Sequence, residues 1–448
     1  MKQKRSDDRI SRTRWARLRG RAGRVAGRVA GQVAGELTAE GDLRDPIDFS
    51  APSVPYYDNL ADRFSLARIV LYMVLLVFVV VTIISNRHLI TYQNLYYLAK
   101  DINAATVTAQ SSTGYFNYPV STVTTVTTVP PDIEAYRGGL AVVGAGEVTV
   151  LSGAGKQTLS EAVTYAHPCV RAADRYFLTF GRGEAGFAVY NAFGRMYRED
   201  TAYPIYDACM GDNGSFAVLT RSQDYTSEVI LYNGDMEKVA NVHLNGYVTA
   251  LCMNRAGTAT AILSVTQSDA TPKTKLTILR THSGVDTEEV QLEDTLVGSA
   301  AFLTEDRIAL VCRDRLAVIG TDGRTVSEVA MEGRDILQVA FGNGTLALLL
   351  SDASGIGDVT LVLYDRSGKP TGDCVLPRAR EAAEMCWNGE DVFLLIADKI
   401  WRVSDHGKST SSLSVDGDIL CLLDVGKETP LICTPAYAYN PDIGAFTE

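Results

Sequence analysis

Along most of the chain, short apolar runs alternate with polar turns that carry glycine. Seven of them, VTVLSGAGK, FAVYNAFGR, VILYNGDMEK, LTILRTHSG, LAVIGTDGR, LVLYDRSGK and IWRVSDHGK, share one shape: a β-rich segment, a tight turn, and usually a Lys or Arg. Their turn glycines, Gly155, Gly194, Gly234, Gly284, Gly323, Gly368 and Gly407, are spaced by 39, 40, 50, 39, 45 and 39 residues. A period near forty residues built of short strands is the sequence form of propeller blades. A second marker keeps step with the first. Before each turn lies a segment with a small residue followed by a polar turn, at Ala135, Cys169, Cys209, Cys252, Ala301, Ala340 and Cys386. The two markers predict an all-β propeller of four-stranded antiparallel blades. Each innermost strand is expected to end at the small residue, because inner strands converge on a crowded axis.

An eighth inner strand is predicted within 417–424, with TPLICTPAY as its neighbour. The β-branched segment 114–129 can supply outer strands to that unit, although the same segment also reads as an extended stalk. Eight blades over 114–448, with the ring closed by pairing of N- and C-terminal strands, are favoured because closure removes an open sheet edge. Seven blades with a terminal extension are the alternative.

In such a blade the inner and outer turns open on one face of the disc. The middle loops and blade-to-blade crossings open on the other. The long insertions 221–228, 266–275 and 351–360 are all middle loops, and so share a face. Rigid scaffolds carry function on such loops, which makes Asp224, Tyr225, Asp269 and Asp358 the candidate partner contacts.

One segment breaks the pattern. LARIVLYMVLLVFVVVTIIS, from Leu66 to Ser85, is apolar on every side, and no charge falls between Arg68 and Arg87. It is long enough to cross a hydrocarbon core of roughly 30 Å as a helix, with Arg68 in the first turn able to reach the headgroups. This predicts a signal anchor over 66–85, a basic and largely disordered tail and linker over 1–65, and a juxtamembrane segment over 86–113. Within the tail, GRAGRVAGRVAGQVAG reads either as disordered in water or as a basic amphipathic helix on the inner leaflet. Cations crowd the N-terminal side, so the tail is expected in the cytoplasm and the propeller outside it.

Charge sharpens the division. Residues 1–65 hold 13 Lys+Arg against 9 Asp+Glu, whereas residues 86–448 hold 28 against 44. An acidic body of this kind argues against nucleic acid as a partner, which needs clustered cations.

The chemistry-bearing patterns are few. VTVLSGAGKQT resembles a strand running into a phosphate loop, but that loop needs an earlier Gly and a hydroxyl after Lys. Val150 and Gln157 stand in those places; at Gly407-Lys408-Ser409 the early position is Arg402. The five histidines are dispersed, and no nucleophile elbow or EF-hand loop is present. No catalytic set, metal site or cofactor is expected. The eight cysteines are expected mainly as small buried thiols rather than a disulfide framework, since four fill the inner-strand position that alanine takes in other blades.

The LVLYDRSGK-type hairpin is similar to the outer hairpins of quinoprotein-like (PQQ-like) propellers. The plan of basic tail, single anchor and extracytoplasmic propeller resembles an uncharacterised family of bacterial single-pass membrane proteins. Quinone-dependent members of that superfamily bring an adjacent Cys-Cys pair and tryptophan-rich blades. This chain has no adjacent cysteines and only Trp387 and Trp401 in the propeller region, so the resemblance implies a non-catalytic scaffold binding a protein or cell-envelope partner. A sensor relaying ligand binding to the tail, or a propeller enzyme acting on envelope polysaccharide, are the alternatives.

Overall fold

The middle strands of each predicted unit read as nearly unbroken apolar runs, such as LAVV, FLTF and LALLL, which is what strands covered on both faces require. In the computed structural model these runs are the second and third strands of eight four-stranded antiparallel sheets. The structure describes residues 54–85, 115–117 and 129–447, apart from 269–270, 282–283, 293–294, 352–357 and 378–381. Seven sheets are simple meanders, spanning 132–162, 168–200, 205–244, 247–292, 297–330, 336–376 and 382–414, here blades 1 to 7.

The first strand of each blade is innermost. First strands of blades 1 and 2, 2 and 3, 3 and 4, 4 and 5, and 6 and 7 lie against one another, as do those of blades 7 and 8, and 8 and 1. Blades 5 and 6 share a buried apolar cluster, so the ring closes. Blade 8 is composite: inner strand Cys421–Leu423, then Leu431–Cys433 and Tyr437–Tyr439, with Tyr115–Asn117 as the outermost strand. Closure by N- and C-terminal strands is as expected, with a single strand coming from the N-terminal side. The residues of the Ser/Thr/Val segment from 118 to 128 lie outside the described residues.

Apolar clusters fill the gaps between neighbouring blades. Between blades 1 and 2, Phe177 stacks on Tyr190 at 5.0 Å and meets the edge of Tyr136 at 5.0 Å. Between blades 2 and 3, Phe216 stacks on Tyr232 at 4.4 Å with Phe187 edge-on. The inner turns then clasp one another around one face of the disc. Tyr136 donates to Arg175 O, Asp174 N to Asp212 Oδ1, and Asp212 pairs with Arg255 at 2.6 Å. Further round, Ala256 N donates to Glu305, and Asn388 to Lys427 O.

Both repeat markers need correction in places. The small inner position lies two residues before the residue that closes the inner turn. This holds for Cys209, Cys252, Ala340 and Cys386, and for Ala301 once the bulge before Thr304 is discounted. In blade 1 the turn closes at Tyr136 and in blade 2 at Ala173. The equivalent residues are therefore Glu134 and Arg171, and Ala135 and Cys169 fall one and two places away. Likewise the outer turn in blade 3 places Met236, at φ 65°, where Gly155 sits at 75° in blade 1. Gly155 thus serves a bulged hairpin that needs a left-handed residue.

The insertion 266–275 is not a loop. It extends a hairpin of ten-residue strands, Ala259–Ser268 and Thr271–Arg280, because TQS and TPKTK keep pairing outward.

A helix of 32 residues, Val54–Ser85, belongs to a unit separate from the propeller. It starts twelve residues before Leu66, within the segment expected to be a linker. Pro55 suits a first helical turn, and 56–65 contain neither Gly nor Pro. Leu66 and Arg68 are exposed, and Arg68 Nε donates to Tyr72 Oη at 3.2 Å; Ser85 ends the helix. Taken over the described residues, no helix is long and apolar enough to cross a membrane. The anchor therefore rests on the sequence run.

Candidate functional site

Two parts of the propeller carry exposed or unbalanced chemistry: the face with the middle loops, and the wall of inner strands in blades 1 to 3.

On the loop face, the middle loop of blade 3 leans toward the crossing into blade 4. Thr226 Oγ1 donates to Asn245 O at 3.0 Å, and the Tyr225 ring stacks on His243 at 4.7 Å. Asp224 is exposed beside it. Sequence reasoning missed three neighbours on this face. Tyr206, 45% exposed, is the bulged residue near the start of blade 3's inner strand. Tyr247, 75% exposed, opens the inner strand of blade 4, and Leu296, 48% exposed, precedes that of blade 5. Inner-strand starts lie on the crossing side, so these side chains share the face of Tyr225. Beside Leu296, a cleft of about 560 Å³ between blades 5 and 6 is lined by Leu337, Gln338, Arg313 and Asp335. A large apolar residue directly after a crossing, as in PIYD and NGYV, was the available signal.

Asp358 is also exposed and precedes the third strand of blade 6. It stands three blades from Asp224 and is not brought to it. Asp269 lies outside the described residues.

The inner wall is different. Blade 1's inner strand presents Asp132 and Glu134 on one side, and these carboxylates take backbone N–H groups from blade 2's inner strand. Asp132 Oδ2 accepts from Val170 N at 2.8 Å, and Glu134 Oε2 accepts from Ala172 N. Inner strands of neighbouring blades do not pair as a sheet, so the carboxylates satisfy donors that would otherwise need water. Between them stands Arg171, which reaches Asp207 of blade 3 at 2.9 Å, Glu134 at 3.6 Å and Asp132 at 3.7 Å. One guanidinium thus links three blades.

Burial pushes the Glu134 carboxyl up to about 7, against the opposing pull of Arg171 and the Ala172 N–H. Its side chain keeps 30% of its surface, but the surrounding inner strands withhold bulk water, and loss of hydration dominates. The cluster therefore changes its formal charge by one unit near neutrality. Among the described residues, no group of three His, Cys, Asp or Glu side chains could hold a metal ion. Arg171 amid the acids favours a structural clasp over a cation site.

Seven four-stranded meanders and a composite eighth sheet, arranged around one axis, define this protein as an eight-bladed β-propeller. Residues 111–436 match a family of unknown function, DUF5711, and the chain belongs to that family. No curated protein matches the sequence. Among solved structures, apo AztD from Citrobacter koseri is similar at a TM-score of 0.50 and 11% identity, covering 66% of this chain and 88% of that one. The WD40 domain of Neurospora crassa Pan2 gives 0.42 and 10%, covering 63% and 91%. At these identities the likeness extends to the fold and stops there.

Proposed function

We propose that this chain is a membrane-tethered extracytoplasmic scaffold, non-catalytic, that binds a protein partner through the loop face of blades 3 to 5. The observation that carries the reading is the gathering of Tyr206, Tyr225, Tyr247 and Leu296, all 42–75% exposed, on one face of the disc. Tyrosine supplies large contact area with a polar end, and is enriched where proteins meet. The outer edge of the disc offers instead isolated exposed valines such as Val326 and Val375. The tether is supported by the helix that holds the run from Leu66 to Ser85. Its described large apolar side chains between Phe64 and Val81 are 45–69% exposed, and such a surface calls for lipid rather than water.

Crosslinking in intact membranes followed by affinity capture of the full chain tests the binding reading. Wild type is expected to retain a discrete protein that the triple variant Tyr206→Ala, Tyr225→Ala, Tyr247→Ala loses, while both remain folded. Equal capture by both removes the loop face as the interface. A reporter fused after Glu448 that is active only outside the cytoplasm tests the orientation separately.

A further inference from the structure

Blade 8 closes the ring with the shortest strands of the propeller. Each has three residues, against five to ten elsewhere. In this seam Cys421, at the start of the inner strand, stands directly opposite Cys433 on its antiparallel neighbour. Facing residues in such a pair have Cα atoms roughly 4.5–5.5 Å apart, within the span that a disulfide bridges. Both thiols are free. Cys433 is fully buried and Cys421 partly exposed. Contact with the Cys421 thiol, and then burial, hold Cys433 well above the usual thiol range. Cys386, on the inner strand of blade 7, also acts electrostatically on Cys433.

We infer that Cys421 and Cys433 are a disulfide-forming site that staples the closing blade. The oxidant is a small-molecule or protein disulfide, RSSR. The Cys421 thiolate attacks one of its sulfurs, forming a mixed disulfide and releasing RS⁻, which takes up a proton as RSH. The Cys433 sulfur, as it loses its proton, then attacks the Cys421 sulfur and expels the second RS⁻, so that one RSSR is reduced to two RSH. This order follows from exposure: only Cys421 can meet the oxidant, and its buried partner completes the exchange. The bond would close a loop of thirteen residues, 421–433. The extracytoplasmic location proposed above would supply such an oxidant; the chemistry in vitro does not depend on that location.

The test uses the full chain, purified in detergent under reducing conditions and then incubated with excess oxidised glutathione. After denaturation and maleimide labelling, wild type is expected to show two fewer labelled cysteines than its reduced form. A non-reducing digest is expected to join the peptides of Cys421 and Cys433. Cys421→Ser and Cys433→Ser should each keep all remaining thiols labelled after release of any single glutathione adduct. The oxidised wild type should melt about 4 °C above the reduced protein. Full labelling of all eight cysteines, a lasting glutathione adduct on Cys421, or a link from Cys421 to Cys386 overturns the assignment. An unchanged melting point with the link in place overturns the stapling role.

Discussion

Blades 1 to 3 and blades 4 to 7 obey the same repeat and hold together by different chemistry. At the inner position before the turn, the first two blades carry Glu134 and Arg171, whereas the others carry Cys209, Cys252, Ala301, Ala340 and Cys386. Between blades, the first three interlock through Tyr136, Phe177, Tyr190, Phe216 and Tyr232. Between blades 6 and 7 the buried contacts are mainly aliphatic, built from residues such as Leu349, Leu361, Leu363 and Leu394, with Trp387 and Trp401 packed against them only partly buried. A propeller thus tolerates either wall, provided each inner strand satisfies its free backbone groups and each gap is filled. Charge at the axis demands a partner in the next blade, and small residues demand none.

The sharpest way to break this comparison is to remove a ring from the aromatic gap. Phe177 is fully buried between Tyr136 and Tyr190. Phe177→Ala is expected to cost about 3–5 kcal/mol, and Leu348→Ala in blade 6, equally buried, about 2–5 kcal/mol. Denaturant unfolding of the full chain reads both. A smaller loss at Phe177 than at Leu348 would show that the aromatic gap adds nothing beyond volume.

Next comes the charged wall. Arg171→Ala leaves three carboxylates without their cation, and Asp132 and Glu134 retain only backbone donors. Because each side chain is about a third exposed, the cost is about 1–3 kcal/mol, below that of a fully buried pair. It should be larger at pH 8 than at pH 5, where Glu134 is neutral.

Glu134 itself carries a pH signature. Its folded-state pKa, about 7, lies above the ordinary 4.5. The folded chain therefore binds more protons than the unfolded chain between those values. The contribution of this group is fully present below pH 4.5 and is lost as pH rises through 7. Discounted for exposure, the swing is on the order of 1–2 kcal/mol. Glu134→Gln keeps an oxygen for the Ala172 N–H and should flatten melting temperature against pH across this window. An unchanged profile would show that another group titrates there.

How much of this could be read from the chain differs by level. The repeat showed because a four-stranded blade imposes its own period on turns, and SGAGK or RSGK reports a bulged hairpin wherever it occurs. The inner marker slips in blades 1 and 2 because a small residue is not an obligatory sign of that position. The position is set by where the inner turn closes, at Tyr136 and Ala173 in these blades, and the residues that stand there, Glu134 and Arg171, are not small. Tyr225 and Asp224 were found because their loop is long. Tyr206, Tyr247 and Leu296 were missed because strand starts look like core, and only the ring's geometry turns them outward. The Asp132, Glu134, Arg171 and Asp207 cluster joins residues some 36 to 39 apart, and no local pattern announces that.

The smallest expected effect tests the quiet half of the molecule. Burial pushes the Cys252 thiol up to about 12, so it stays protonated at any physiological pH and acts as a small apolar side chain. Cys252→Ala should therefore change stability by less than about 1 kcal/mol, the size of a volume-tolerant core substitution, with no change in its pH dependence. Thermal melts between pH 5 and 9 are the measurement. If blades 4 to 7 hold together by packing alone, the variant and wild-type profiles run parallel. A divergence toward high pH would show that this thiol ionises, and that the uncharged wall has electrostatics of its own.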